Sequence, residues 1–381
     1  MPAPQVVAAL LDGGSIRNGR ALPAVESLDI LAVDAAMSEF LSERVNAAAP
    51  TRERLQQLLD AVIEDPNFAL DYQGTTLSAV ETFHRGQGNC LAFTTMFIAM
   101  ARAVGLEAAY QEVQTPPTWD RDNDSIVMTR HINANVTNVN ATTRSGSLAT
   151  WQGQARAGWV VDFNLTEYRS FYRKTVISDQ RAFAHYYSNL SAEALLADRP
   201  LWALAYARKA LDYEPFFAAA WTNLGILYSR ASDLQSAKEA YKVSLAFEPE
   251  NLTTRSNLAS VMQKTGDHTA AARLRDEVAR YRHENPYYRF ELAKSLIRRA
   301  DYASAQGHLE AAINKQPADE RFHLALSAVH TAMGNTRLAK HSLEEAKRLS
   351  HDPDAPKRFE QKLRELEKGL EQRPAGSIAS L

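Results

Sequence analysis

A single cysteine, Cys90, occurs in 381 residues, so an intramolecular disulfide is impossible and no zinc site can be built on several thiolates. An excess of one charge is also missing: 43 lysines and arginines stand against 45 aspartates and glutamates, for a net charge of −2. That balance gives no electrostatic reason to expect nucleic acid or an acidic membrane surface as partner, and no basic stretch interleaved with aromatics is present. No segment approaches the ~20 consecutive apolar residues of a membrane-spanning helix. The start of the chain, MPAPQVVAALLDGG, has one apolar run, Val6 to Leu11, with no basic region before it, and does not read as a signal peptide. The cytoplasm is then the default compartment, with a bacterial envelope the alternative if Met1 replaces a leader. His84, His131 and His185 lack the HExxH spacing of a metal site, RGQGNC lacks the lysine of a phosphate loop, and no GxGxxG opens a helix after a strand. Neither a metal nor another cofactor is therefore expected. What remains is ordinary for a soluble globular chain, 45% hydrophobic and 23% charged, long enough for two or three domains.

The second half repeats itself. Ala203, Ala237, Ala271, Ala305 and Ala339 are spaced by 34 residues, and so are Leu190, Leu224, Leu258, Leu292 and Leu326. Prolines close the units at Pro215, Pro249 and Pro317, with Pro286 three residues late. A helix pair that recurs this way needs small residues where its two helices cross, which Gly225 and Ala237 supply, and large ones such as Trp221 and Tyr228 between neighbours. Proline after the second helix stops it. One pair cannot bury its apolar face alone, so several must stack. The stretch WTNLGILYSRASDLQSAKEAYKVSLAFEP, ending at Pro249, closely resembles a tetratricopeptide repeat. The resemblance implies an all-α solenoid of five units over 184–353, a charged capping helix at 355–372 and a short tail, 373–381. It also implies a groove for a protein or peptide partner, with Thr222, Asn223, Asn257, Gln263, Tyr287 and Lys294 on first helices as groove candidates.

The first half is different. Residues 1–25 are turn-rich and read as a loose N-terminal arm. Helical patterning follows from 26 to 65, ending at Asp65-Pro66. In RGQGNCLAFTTMFIAMARAVGLEAAYQEV, Gly86 and Gly88 permit a tight turn and Asn89 is a good N-cap, which places Cys90 in the first helical turn. The helix after it is apolar nearly all round and should be central and buried. A thiol there has two advantages as a nucleophile: the helix terminus favours its thiolate, and its own backbone N–H can bind an oxyanion. Such a thiol needs a histidine base and a group that orients the imidazole. SIVMTRHINANVTNV alternates like a strand and carries His131; GWVVDFNLT is another strand, carrying Asp162, with Asn164 on the same face as an alternative orienter.

That order, a cysteine opening a helix after RGQGN, a histidine on a strand and an aspartate in WVVDFN, resembles the transglutaminase-like core, a branch of the papain-like cysteine fold. The resemblance covers roughly residues 65–175, within an α+β domain spanning 26–180. It implies Cys90 as nucleophile, His131 as general base and acid, and Asp162 as orienter. Gln87, Gln73 and Tyr72 are candidates to complete the oxyanion hole. It implies cysteine-dependent acyl transfer on peptide or glutamine amides, by protease, amidase or transglutaminase chemistry. The alternative is a non-catalytic adaptor whose repeat groove is the functional surface, and the family includes bacterial proteins that join this core to tetratricopeptide repeats. Trp119 and Trp151, in the polar segments 114–126 and 140–158, are read as cleft residues or loop anchors.

Overall fold

The computed structural model describes residues 3–64, 70–114, 118–119, 126–127, 131–137, 158–163 and 172–350. Helices α1 (Pro4–Asp12), α2 (Gly14–Arg17), α3 (Ala35–Arg44), α4 (Thr51–Leu59) and α5 (Ala79–Arg85) precede the central helix α6 (Cys90–Ala103). A π-helical turn, Asp60–Glu64, extends α4. Strands are β1 (Asp71–Tyr72), β2 (Gln87–Gly88), β3 (Ala108–Val113), β4 (Thr118–Trp119), β5 (Ile126–Val127), β6 (His131–Val136), β7 (Trp159–Val161) and β8 (Lys174–Ile177). Among the described residues ten helices follow: α7 (Asp179–Leu196), α8 (Pro200–Tyr213), α9 (Ala218–Arg230), α10 (Leu234–Phe247), α11 (Leu252–Lys264), α12 (His268–Glu284), α13 (Pro286–Arg298), α14 (Tyr302–Lys315), α15 (Glu320–Ala332) and α16 (Thr336–Leu349).

The chain divides into two compact units, Met1–Pro116 with Ser125–Leu274, and Pro117–Asp124 with Arg275–Leu381. The first unit therefore holds the α+β core together with the earliest repeats. The reason is a continuous apolar cluster running from Leu10 through the core to Val261.

In the core, α6 is buried at every position from Leu91 to Ala101. Such a helix has no face for water, and its apolar composition is what the sequence predicts. It packs on an antiparallel sheet of order β7-β6-β3-β8. Tyr110 on β3 is fully buried and donates to Thr95 Oγ1 at 3.1 Å, and Thr94 Oγ1 donates to the Ile132 carbonyl on β6 at 3.2 Å. Two side chains of the helix are thus tied to the two central strands. Separately, β1 and β2 pair in parallel just ahead of α6, with Tyr72 opposite Gly88.

The repeat register is explicit in the helix boundaries. First helices start at 218, 252, 286 and 320, and second helices at 200, 234, 268, 302 and 336, each step being 34. Helix α7 departs from the period by starting at Asp179, where Ser178 caps it. Helix α12 runs to Glu284 because His283 stands where three other units have Pro215, Pro249 and Pro317; it stops only before Pro286, which opens α13 after the cap Asn285. Gly225 on α9 is needed for packing: a Cβ there would overlap the buried ring of Tyr241 on α10. In the second unit, Ala293, Ala305, Leu309, Leu326 and Val329 form a separate small core.

The N-terminal segment is not a loose arm. Pro4 opens α1, Gly13 closes it in the left-handed conformation, and Leu10 and Ile16 are buried. Tyr228 on α9 donates to the Leu10 carbonyl at 2.8 Å, and Ser15 donates to Asp233 Oδ2 at 2.8 Å. Apolar residues at Val6, Val7, Leu10 and Leu11 give the arm a face that only helical geometry makes continuous, and the first repeats cover it. Trp151, Asn164, the segment 355–372 and the tail 373–381 lie outside the described residues.

Candidate functional site

Asn89 ends the β2 turn and caps α6: its Oδ1 accepts from the Ala92 amide at 3.0 Å and its Nδ2 donates to Thr76 Oγ1 at 2.8 Å. The cap holds Cys90 as the first residue of the helix, among amides that have no intrahelical acceptor. Cys90 is a free, partly exposed thiol. His131 is the first residue of β6, at the end of the sheet, and is 2% exposed. Asp162 follows β7 directly and is 3% exposed. Because Ala134 pairs with Val161, Asp162 comes opposite Asn133 in the antiparallel register.

Each oxygen of the Asp162 carboxyl lies 2.7 Å from His131 Nε2. A carboxylate can only accept, so the proton of the neutral imidazole sits on Nε2. Nδ1 is then left on the side away from the carboxylate, and Cys90 lies near enough to act on the imidazole. Burial by itself would lower the imidazole pKa; the hydrogen bond to Asp162 and the nearby Cys90 outweigh it and raise the value to about 10. A protonated imidazole beside the thiol favours the thiolate. Asn133, fully buried, donates from Nδ2 to Asp162 Oδ2 at 2.9 Å. On the edge strand β8, Lys174 is half-buried; desolvation lowers its ammonium pKa and the field of Asp162 partly restores it.

His131 and Asp162, far apart in sequence, are therefore a hydrogen-bonded pair, with Cys90 near enough to act on the imidazole. The oxyanion candidates sit less uniformly. Gln87 is half-buried on β2, three residues before Cys90. Gln73 is exposed and its amide is engaged by Asp71 Oδ2 at 2.9 Å, while Tyr72 is 55% exposed. Trp119 lies on β4.

The groove candidates separate as well. Thr222 is buried and bonded to Ser244 and Thr254, and Asn223 donates to the Ser188 carbonyl at 2.9 Å, tying α9 to α7. Gln263 meets His268 at 2.8 Å. Tyr287 packs edge-on against Phe322 with ring centres 5.6 Å apart, and Lys294 pairs with Glu291 at 2.6 Å. Asn257 is half-buried. Thr222 and Asn223 are thus occupied within the array.

Two further polar clusters escaped the sequence reading. Glu112 on β3 accepts from Arg181 Nε at 2.6 Å and from His185 Nε2 at 2.7 Å, both on α7. Burial would raise the Glu112 pKa, but these two partners hold it well below the usual carboxylate range. Arg102 on α6 forks onto both oxygens of Asp179 at 2.7 and 2.9 Å. Both pairs fasten the core to the first repeat helix. They join residues about 70 positions apart, and no local spacing announces them. Among the described residues no cluster of His, Cys, Asp or Glu could hold a metal ion, and no helix is long and apolar enough to cross a membrane.

Residues 39–160 match the transglutaminase-like superfamily, so this part of the chain is a transglutaminase-like domain. The chain as a whole joins that α+β core to an all-α array of tetratricopeptide-type helix pairs. None of the curated proteins matches it. Similar solved structures include YrrB, described as a TPR protein with an unusual peptide-binding site (18% identity, 47% of this chain, 92% of that one, TM-score 0.26). Another is MamA from Desulfovibrio magneticus RS-1 (17% identity, 46% of this chain, 98% of that one, TM-score 0.26). A third is MamA AMB-1 (21% identity, 45% of this chain, 100% of that one, TM-score 0.24). The 34-residue helix register, rather than these likenesses, defines the repeats.

Proposed function

We propose that the core is a cysteine-dependent acyl-transfer site acting on peptide or glutamine-side-chain amides. One observation carries the reading: a buried imidazole bonded through Nε2 to a carboxylate at 2.7 Å, with a thiol at a helix N-terminus near enough to act on the same ring. In the reaction the Cys90 thiolate adds to the amide carbonyl and forms the C–S bond. The oxygen that gains charge is held by the Cys90 amide, with Gln87 as the candidate second donor. His131 passes a proton to the departing nitrogen as the C–N bond breaks, leaving a thioester. The imidazole then takes a proton from the attacking water or amine, which releases the acyl group and regenerates the thiol. Asp162 keeps the proton on Nε2 throughout, so that Nδ1 faces the reacting atoms. The repeat array serves as the protein- or peptide-binding part, bringing the acyl donor to the core.

The test is direct acylation. Incubation with an activated acyl ester, followed by intact-mass measurement, should show one acyl group on Cys90. The adduct should be absent in Cys90→Ala and form far more slowly in His131→Ala. Equal labelling of wild type and His131→Ala would contradict the proposal and leave the array as the functional surface.

A further inference from the structure

We infer that Asn133 is a positioning residue of the same site: it keeps Asp162 ionised and turned towards His131. The inference rests on the function proposed above and deepens it.

Asn133 is 0% exposed, on a strand where an apolar residue would pack at no cost in hydrogen bonding. Its amide orientation is fixed by its neighbour, because turning the carbonyl towards Asp162 would set oxygen against carboxylate. Nδ2 therefore faces Asp162 Oδ2 at 2.9 Å, and Oδ1 points away, buried, with no hydrogen-bond partner among the described residues. Across the ladder, Gln111 is paired with Asn133 and its buried Oε1 also lacks a partner among the described residues. An unsatisfied buried acceptor is unfavourable, and an aliphatic side chain would remove it. What the aliphatic side chain could not supply is the donor to Asp162. Placement of an amide here thus serves the carboxylate rather than the packing.

The chemical consequence follows from tautomers. A donor to the ionised form lowers a carboxyl's proton affinity. Without it, a carboxyl as buried as Asp162 takes up a proton more readily. A protonated carboxyl donates to Nε2 instead of accepting from it. The imidazole proton would then sit on Nδ1, facing the thiol, and the ring could not accept the thiol's proton. Asn133 acts through Asp162 on the state of His131, without touching the reacting atoms.

The experiment follows the Asp162 carboxyl carbon by nuclear magnetic resonance across pH, with Asp162→Asn to assign the signal. In Asn133→Leu the midpoint of the Asp162 titration should rise relative to wild type. A second readout does not alter Asn133: the Asn133 side-chain amide resonance should move with the Asp162 titration in wild type and should shift in Asp162→Asn. An unchanged Asp162 midpoint in a folded Asn133→Leu protein would overturn the inference, as would an Asn133 amide signal indifferent to Asp162. Both readouts are independent of Cys90, so they can fail while the acyl-transfer reading stands, and can succeed if Cys90 proves unreactive.

Discussion

His131 Nε2 lies 2.7 Å from each carboxylate oxygen of Asp162, and each side chain is only 1% exposed. The pair makes a pH-dependent contribution to stability whose sign is fixed by the direction of the shift. An imidazole that binds its proton more tightly in the folded state stabilises the fold fully below its unfolded value of ~6.5. That contribution is lost as pH rises from there through the folded value of about 10. His131→Gln, which keeps a neutral donor, should therefore lower the thermal midpoint most at pH 6 and least at pH 10. A gap that widened with pH would contradict the ion-pair description.

The link between core and array makes the opposite prediction. Glu112 is held below the usual carboxylate range by His185 and Arg181, so its contribution is complete above the unfolded value of ~4.3 and is lost as pH falls below it. Removing one partner of a buried ionic cluster leaves the others unpaired; Glu112→Ala should cost about 3 kcal/mol in urea unfolding at pH 7. The difference from wild type should shrink in acid. If Glu112→Ala unfolds like wild type at pH 7, the cluster does not fasten α7 to β3.

Gly225 tests the helix crossing in the second repeat. In an open helix, glycine to alanine is stabilising by roughly 0.5–1 kcal/mol. Here the added methyl meets the Tyr241 ring, which is 2% exposed. Gly225→Ala should therefore destabilise, by about 1–3 kcal/mol. Gly225→Ala combined with Tyr241→Leu should recover part of the loss, and its failure to do so would place the strain elsewhere.

The N-terminal helix should behave as part of the fold. Leu10 is 3% exposed and its carbonyl accepts from Tyr228. Leu10→Ala should cost about 2–5 kcal/mol, the usual range for a buried leucine. Measured by chemical unfolding, a loss under 0.5 kcal/mol would mean that α1 contributes nothing to the first unit.

These features were unequally legible in the sequence. The repeat register could be read because identical packing demands recur every 34 residues, and Gly225 and Ala237 each meet one of them. The start of α6 was readable because a cap is a local device: Asn89 bonds an amide three residues on. The arm's helix was not read, because its single apolar face gains meaning only from the repeats that cover it. Glu112, Arg181 and His185 were invisible for a related reason, since a charge cluster between a strand and a helix 69 and 73 residues away leaves no spacing signal. Asn133 did leave one. In HINANV the polar residues His131, Asn133 and Asn135 alternate with apolar ones, which puts Asn133 beside His131 on one strand face. A polar residue two positions from a base, on a buried strand, marks a residue near the site even before its partner is known.

The central claim, a working thiolate–imidazole pair, is tested most directly by the pH dependence of Cys90 alkylation with iodoacetamide in wild type and His131→Ala. The single cysteine makes every label interpretable. The account predicts fast labelling at neutral pH in wild type and much slower labelling in His131→Ala. Slow labelling with an ordinary thiol profile, the same in both proteins, would contradict it.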